Sequence, residues 1–175
     1  MTVTLRRTQK LASALAVTAG DAPLSSTALG DWYANRLVVD RKPLLLLVSS
    51  RSLLPILLPA RDLRTLPSRL GHAVAQRLRR FGIDQRLIDA EVAAMTPVHV
   101  AKTADRAVVG IMVDFAWTVP YHLPQGAWDD TTLPFIEATL AETPCFCSST
   151  VRESLIPERA TPELLESHWG AGYRG

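Results

Sequence analysis

The chain has 175 residues, a formal charge of +2, 47% apolar and 21% charged residues. A chain of this size buries roughly two-thirds of its unfolded surface without a disulfide or a metal. The composition excludes a collagen, a coiled coil, a disulfide scaffold and wholesale disorder.

In chain order, Val3 to Arg7 reads as a short strand, and Thr8 to Val17 as a helix with Leu11, Ala14 and Leu15 on one face. Arg6, Arg7 and Lys10 before Leu11 to Val17 have the outline of a signal peptide. Ser13 and the helical alternation break that outline, so the segment reads as mature structure. Thr18 to Leu29 is a loop. Trp32 to Val39, Leu44 to Val48 and Leu53 to Leu58 are three β-type runs joined by short polar turns, which predicts an antiparallel meander. Leu44 to Leu47 is continuously apolar, so it should be covered on both faces. Pro55 and Pro59 put the third run at an edge.

Leu66 to Phe81 follows as an amphipathic helix, with Pro67 in its first turn and Gly82 as its C-terminal cap. Asp84 caps a second helix that runs through Met95 and stops at Pro97. Val98 to Lys102 is a short strand. Ala104 to Val119 has apolar residues at every odd position from Val109, as a strand would. Its sixteen residues and its start at Thr103 and Asp105 favour a mostly buried helix. Pro124, Gly126, Asp129 and Asp130 mark a loop, Leu133 to Glu142 a helix, and Pro162 to Trp169 a short helix before a loose tail. The expectation is a single α+β domain over residues 1–147, a small antiparallel sheet of about four strands with helices packed against it. Residues 148–175 are expected to form a partly irregular C-terminal extension.

Charge is unevenly laid out. The basic residues are 16 Arg and 3 Lys. Six Arg stand against one Asp between Arg61 and Gly82, and eight acids against two Arg between Asp129 and Glu166. No phosphate-cradling glycine loop, nucleophile elbow or His-Glu-x-x-His motif occurs. His72, His99, His122 and His168 lie far apart. Cys145-Phe146-Cys147 could give two thiolates to a zinc ion or form a redox pair, but reads most simply as two loop cysteines. No metal or cofactor is expected. Two cysteines are too few for a secreted framework, and no run approaches the ~20 apolar residues of a membrane span. These features predict a soluble cytoplasmic protein without a membrane partner.

Three constellations could carry function. In the first, strand alternation puts Trp32 and Arg36 on one face, as a stacking surface, and Tyr33 and Asn35 on the other, with Asp40 and Arg41 beyond. Its structural reading is an aromatic anchor and an Arg–Asp pair that holds the hairpin. In the second, Lys102, Thr103, Asp105 and Arg106 surround a helix start that could hold an anion, or that is simply capped. Asp114, inside an apolar run, is expected to be buried and so to need Arg36, Arg41 or Arg106 as partner. The third is the basic face of Arg61, Arg64, Arg69, Arg77, Arg79, Arg80 and Arg86, which could follow a phosphate backbone or be a solvated helix surface.

Gly30 to Lys42 (Gly-Asp-Trp-Tyr-Ala-Asn-Arg, then Asp-Arg), Thr8-Gln9-Lys10-Leu11 and the Lys-Thr-x-x-Arg-x-Val-x-Gly-x-Met-x-Asp segment from Lys102 to Asp114 occur in one order. In these motifs, over roughly residues 3–145, the chain resembles a bacterial family known only as a domain of unknown function. Ala107 and Val113 depart from that pattern, which has a small polar residue at each. The resemblance implies an α+β fold and a helix over Ala104 to Val119, and implies no activity.

Two functions are therefore expected in turn. The first is a non-enzymatic binding module that contacts nucleic acid or a protein partner through the Arg-rich helix. The alternative is a small metal-independent enzyme for a phosphorylated or nucleotide substrate, built on Asp40, Arg41, Lys102, Asp105, Arg106 and Asp114.

Overall fold

The computed structural model describes residues 1–123, 129–146 and 154–170. Five strands form one mixed sheet: β1 (Val3–Arg7), β2 (Trp32–Val39), β3 (Lys42–Ser49), β4 (Pro55–Pro59) and β5 (Val98–Lys102), in the order β4-β3-β2-β1-β5. The meander β2-β3-β4 is antiparallel, as its turns predict. The expectation of about four antiparallel strands needs correction, because β1 pairs in parallel with both β2 and β5. Parallel neighbours require long connections, and the turn signals that mark hairpins cannot reveal them.

The β2–β3 hairpin closes on two residues. Val39 faces Lys42, and Asp40 and Arg41 take φ of 49° and 64°. This left-handed pair matches the strand twist as a type I′ turn does. Leu44 to Val48 is buried on both faces, and β4 is the sheet edge.

Helices cover both sides. Alternation on β2 sends Trp32 and Ala34 into one core and Tyr33, Leu37 and Val39 into the other. The first core holds Leu70, Val74 and Leu78 of α1 (Leu66–Phe81) and Leu87 and Ile88 of α2 (Gln85–Ala93). The second holds Val108, Ile111, Met112, Phe115 and Val119 of α3 (Arg106–His122), with Leu133, Ile136 and Leu140 of α4 (Leu133–Ala141). The helical reading of Ala104 to Val119 therefore holds. Asp114 lies on the solvent side of α3, not in the core as expected. The α3 cap is Asp105, whose carboxylate accepts from Ala107 N at 2.8 Å, and not Thr103. Gly82 (φ 82°) and Asp84 cap α1 and α2 as predicted.

The helix expected over Thr8 to Val17 is replaced by a single 3-10 turn at Gln9–Leu11. A helix this short is marginal by itself. Here the Arg7 guanidinium donates to the Leu15 carbonyl at 2.6 Å, folding the segment back on β1 while Leu11 and Leu15 still reach the core. At the C-terminal end, α5 (Pro157–Leu165) begins before Pro162 and continues into a π turn, Glu166–Gly170. Leu165 and Trp169 of this segment pack into the α1/α2 core. Pro124, Gly126 and Cys147 lie outside the described residues.

Gly30 sits at φ +77°, and a Cβ there would collide with Ser50 Oγ and Arg51 Cγ. Ser50 Oγ in turn accepts from Asp31 N, so it cannot retreat without losing that bond. Gly30→Ala is expected to destabilise the chain by about 1–3 kcal/mol, read from urea unfolding.

Candidate nucleic-acid interface

The seven arginines of the basic face are sorted by helical period. On α1, Arg77 falls on the same stripe as Leu70, Val74 and Phe81 and is buried. Its Nε donates to the Pro55 carbonyl at 3.1 Å and lies 3.4 Å from Glu137 Oε2, and its guanidinium stacks over the Phe81 ring. Burial lowers the Arg77 pKa from its ordinary value. Glu137 acts against that shift, and Arg80 adds to it. Glu137 Oε1 also accepts from Leu57 N at 2.8 Å. The pair therefore satisfies two backbone groups of β4 that have no strand beside them, and blunts the sheet edge. The assignment of Arg77 to a solvent-facing surface is thus corrected: it is a core residue.

The other arginines are on the outside. Arg80 is shared, donating to Glu137 Oε2 at 2.8 Å while half-exposed. Arg86 stands 3.2 Å from Asp84, whose carboxyl is held below its ordinary pKa chiefly by the Arg86 backbone N–H. Arg61 has a loose ion pair with Asp130 at 3.8 Å. Arg69 donates to Thr65 Oγ1 and to the Arg61 and Asp62 carbonyls, and Arg79 to Gln85 Oε1. These acceptors are neutral, so they order the guanidinium groups without cancelling their charge. Arg64 has no ion pair among the described residues. Arg69, His72, Gln76, Arg79 and Arg80 share one stripe, and α1 contains no acid.

The first constellation is mostly structural. Trp32 is fully buried, and among the described residues its indole N–H meets no acceptor. This contradicts a stacking surface with Arg36, which is exposed on the same sheet face. Tyr33 is buried on the opposite face and its hydroxyl accepts from Asp105 N at 3.0 Å, fixing the start of α3. Asn35 Oδ1 accepts from Thr8 Oγ1 at 2.8 Å, so two of the sequence motifs meet. Asp31 accepts from Arg6 and from Ser25 Oγ.

The second constellation touches the first through the bond from Asp105 N to the Tyr33 hydroxyl, but Asp40 and Arg41 stand apart from it. Asp40 and Arg41 occupy the hairpin turn, seven and eight residues beyond Tyr33, about 23 Å along an extended strand. Lys102 is exposed at the end of β5, Thr103 is half-buried in the loop after it, and Asp105 and Arg106 open α3. Asp114 is two turns further on, about 12 Å along the axis; among the described residues it has no ion pair, and being exposed to water it needs none. Two hollows, of about 510 and 270 Å³, are lined by other residues: Ser68, Gly71, His72 and Met95 around one, Lys42, Arg61, Asp129 and Asp130 around the other. Among the described residues no three His, Cys, Asp or Glu side chains gather as metal ligands, and no helix is long and apolar enough to cross a membrane.

Sequence reasoning missed two buried carboxylates. Glu137 is one. Glu91 on α2 is the other, accepting from Ala28 N, Leu29 N and Trp169 Nε1 at 2.8–3.0 Å. Both stand four residues after a buried leucine, Leu87 or Leu133, so each interrupts an apolar stripe. That interruption is the signal that could have found them.

A family model matches residues 4–160 and carries the description Domain of unknown function (DUF6933). The match extends past the motif region into α5. No curated protein and no solved structure matches the chain.

Proposed function

We propose that this chain, which belongs to the DUF6933 family, is a non-enzymatic binding module that grips the phosphate backbone of nucleic acid through the outer face of α1. One observation carries the reading: among the described residues Arg69 and Arg79 on the acid-free α1, and Arg64 in the 3-10 turn just before it, have no ion-pair partner, while Arg77 is withdrawn into the core. Arg69 and Arg79 are about 15 Å apart along the axis, a span that covers several phosphates of one groove wall. Their guanidinium groups are already oriented by neutral acceptors, so little side-chain freedom is lost on contact. With Trp32 buried, and Trp117 and Tyr121 on α3 across the sheet, no aromatic platform accompanies them among the described residues. The contact is therefore to backbone rather than to bases, and indifferent to sequence.

The placement of Asp40 and Arg41 at the hairpin turn and of Asp105, Arg106 and Asp114 on α3 favours binding over the alternative of a small enzyme. An enzyme would need these groups around one cavity. The test is fluorescence anisotropy on mixed-sequence duplex DNA and RNA over a range of salt concentrations. Three arginines engaged give a slope of log affinity against log salt of about −3. Salt-independent binding, or none at low salt, sinks the reading.

A further inference from the structure

The outer face of α3 has a composition that solvent alone does not explain. Val113, Trp117 and Tyr121 stand one turn apart and are 46%, 72% and 84% exposed. Trp and Tyr in such positions are the residue types that anchor protein interfaces. On the same face lie Arg106, Gly110 and Asp114, also one turn apart and all exposed. Neither Arg106 nor Asp114 has a side-chain ion pair among the described residues. They cannot pair with each other, being about 12 Å apart along one axis. A Cβ at Gly110 would meet nothing within 4 Å, so its backbone is open to close approach.

The three positions are symmetric. Gly110 has an arginine four residues before it and an aspartate four residues after. Two such helices laid antiparallel with Gly110 at the crossing bring each Arg106 onto the other's Asp114, twice. Laid parallel, arginine meets arginine and aspartate meets aspartate. A self-complementary patch of this kind is what a two-fold axis requires, whereas an unrelated partner imposes no such symmetry. We infer that a second copy of this chain packs antiparallel on α3 about Gly110, with Arg106 and Asp114 pairing across the axis and Val113, Trp117 and Tyr121 covering the flanks. The pairs would sit beside apolar surface, where they fix orientation and register.

The experiment is sedimentation equilibrium of the full chain with its charge-swap variants, each checked for an unchanged melting temperature. Both charged residues are exposed, so the fold should tolerate the swaps. The wild-type chain is expected to be a dimer. Arg106→Asp and Asp114→Arg, which each place like charges opposite one another, should weaken it by about tenfold or more. The double variant Arg106→Asp/Asp114→Arg restores the opposite-charge pairs and should recover dimerisation. A wild-type chain that stays monomeric at its highest soluble concentration overturns the inference. So does a dimer that the single swaps leave intact, or that the double swap fails to rescue.

Discussion

Glu137→Ala is expected to lower the unfolding free energy by about 3–5 kcal/mol, the usual result of removing one member of a buried ion pair. The carboxylate is almost fully buried and holds three groups at once: Leu57 N on the edge strand, and the guanidinium groups of Arg77 and Arg80. Its loss leaves Arg77 as an uncompensated charge in the core and Leu57 N without an acceptor. Arg77 is already disfavoured as a cation by its burial, and Glu137 is the group that opposes this. Chemical denaturation followed by circular dichroism reads the change. The double variant Arg77→Leu/Glu137→Leu should recover much of the loss, because the lone charge goes with its partner. If it is no more stable than Glu137→Ala, the pair does not act as a unit.

Glu91→Ala should cost about 3 kcal/mol or more. It strands the buried N–H groups of Ala28, Leu29 and Trp169, each worth about 1–3 kcal/mol when unsatisfied. The effect has a place as well as a size. Trp169 ties the π turn after α5 to α2, so the described residues 157–170 should lose amide-exchange protection before the sheet does. Trp169→Phe keeps the packed ring and removes one donor, and should cost only a fraction as much. Protection over 157–170 that survives Glu91→Ala would contradict the tie.

These two carboxylates mark where the sequence ceased to be readable. Elements set by local chemistry could be foreseen. The acid-free amphipathic stripe of α1, its Gly82 cap, the Asp84 cap and the tight turn at Asp40 and Arg41 each follow from neighbouring residues. The parallel pairing of β1 with β2 and β5 could not, because Thr4 and His99 meet across more than ninety residues of chain with no turn between them to announce it. The Thr8 to Val17 segment misled for the related reason that its apolar period is real, but Arg7 takes the Leu15 carbonyl and sets the backbone. The candidate site was legible as a cluster of residue types and illegible as a surface. Trp32 and Arg77, singled out for aromatic and cationic chemistry, are core residues, and Asp114 is a surface one. Arg77 could have been recognised, since it lies three residues after Val74 and four before Phe81, on the apolar stripe. What the sequence lacked was its acceptor, the edge of β4, which only the tertiary fold supplies.

On the proposed reading the arginines in and just before α1 divide into an inner one, Arg77, that holds the sheet edge and outer ones, Arg64, Arg69 and Arg79, that bind phosphate. The affinity of Arg64→Ala/Arg69→Ala/Arg79→Ala for a mixed-sequence duplex at low salt, measured beside its melting temperature, reads this division. The expected result is loss of binding and of its salt dependence while the fold still melts near the wild-type temperature. A triple variant that folds normally and binds as tightly as the wild-type chain would contradict the claim.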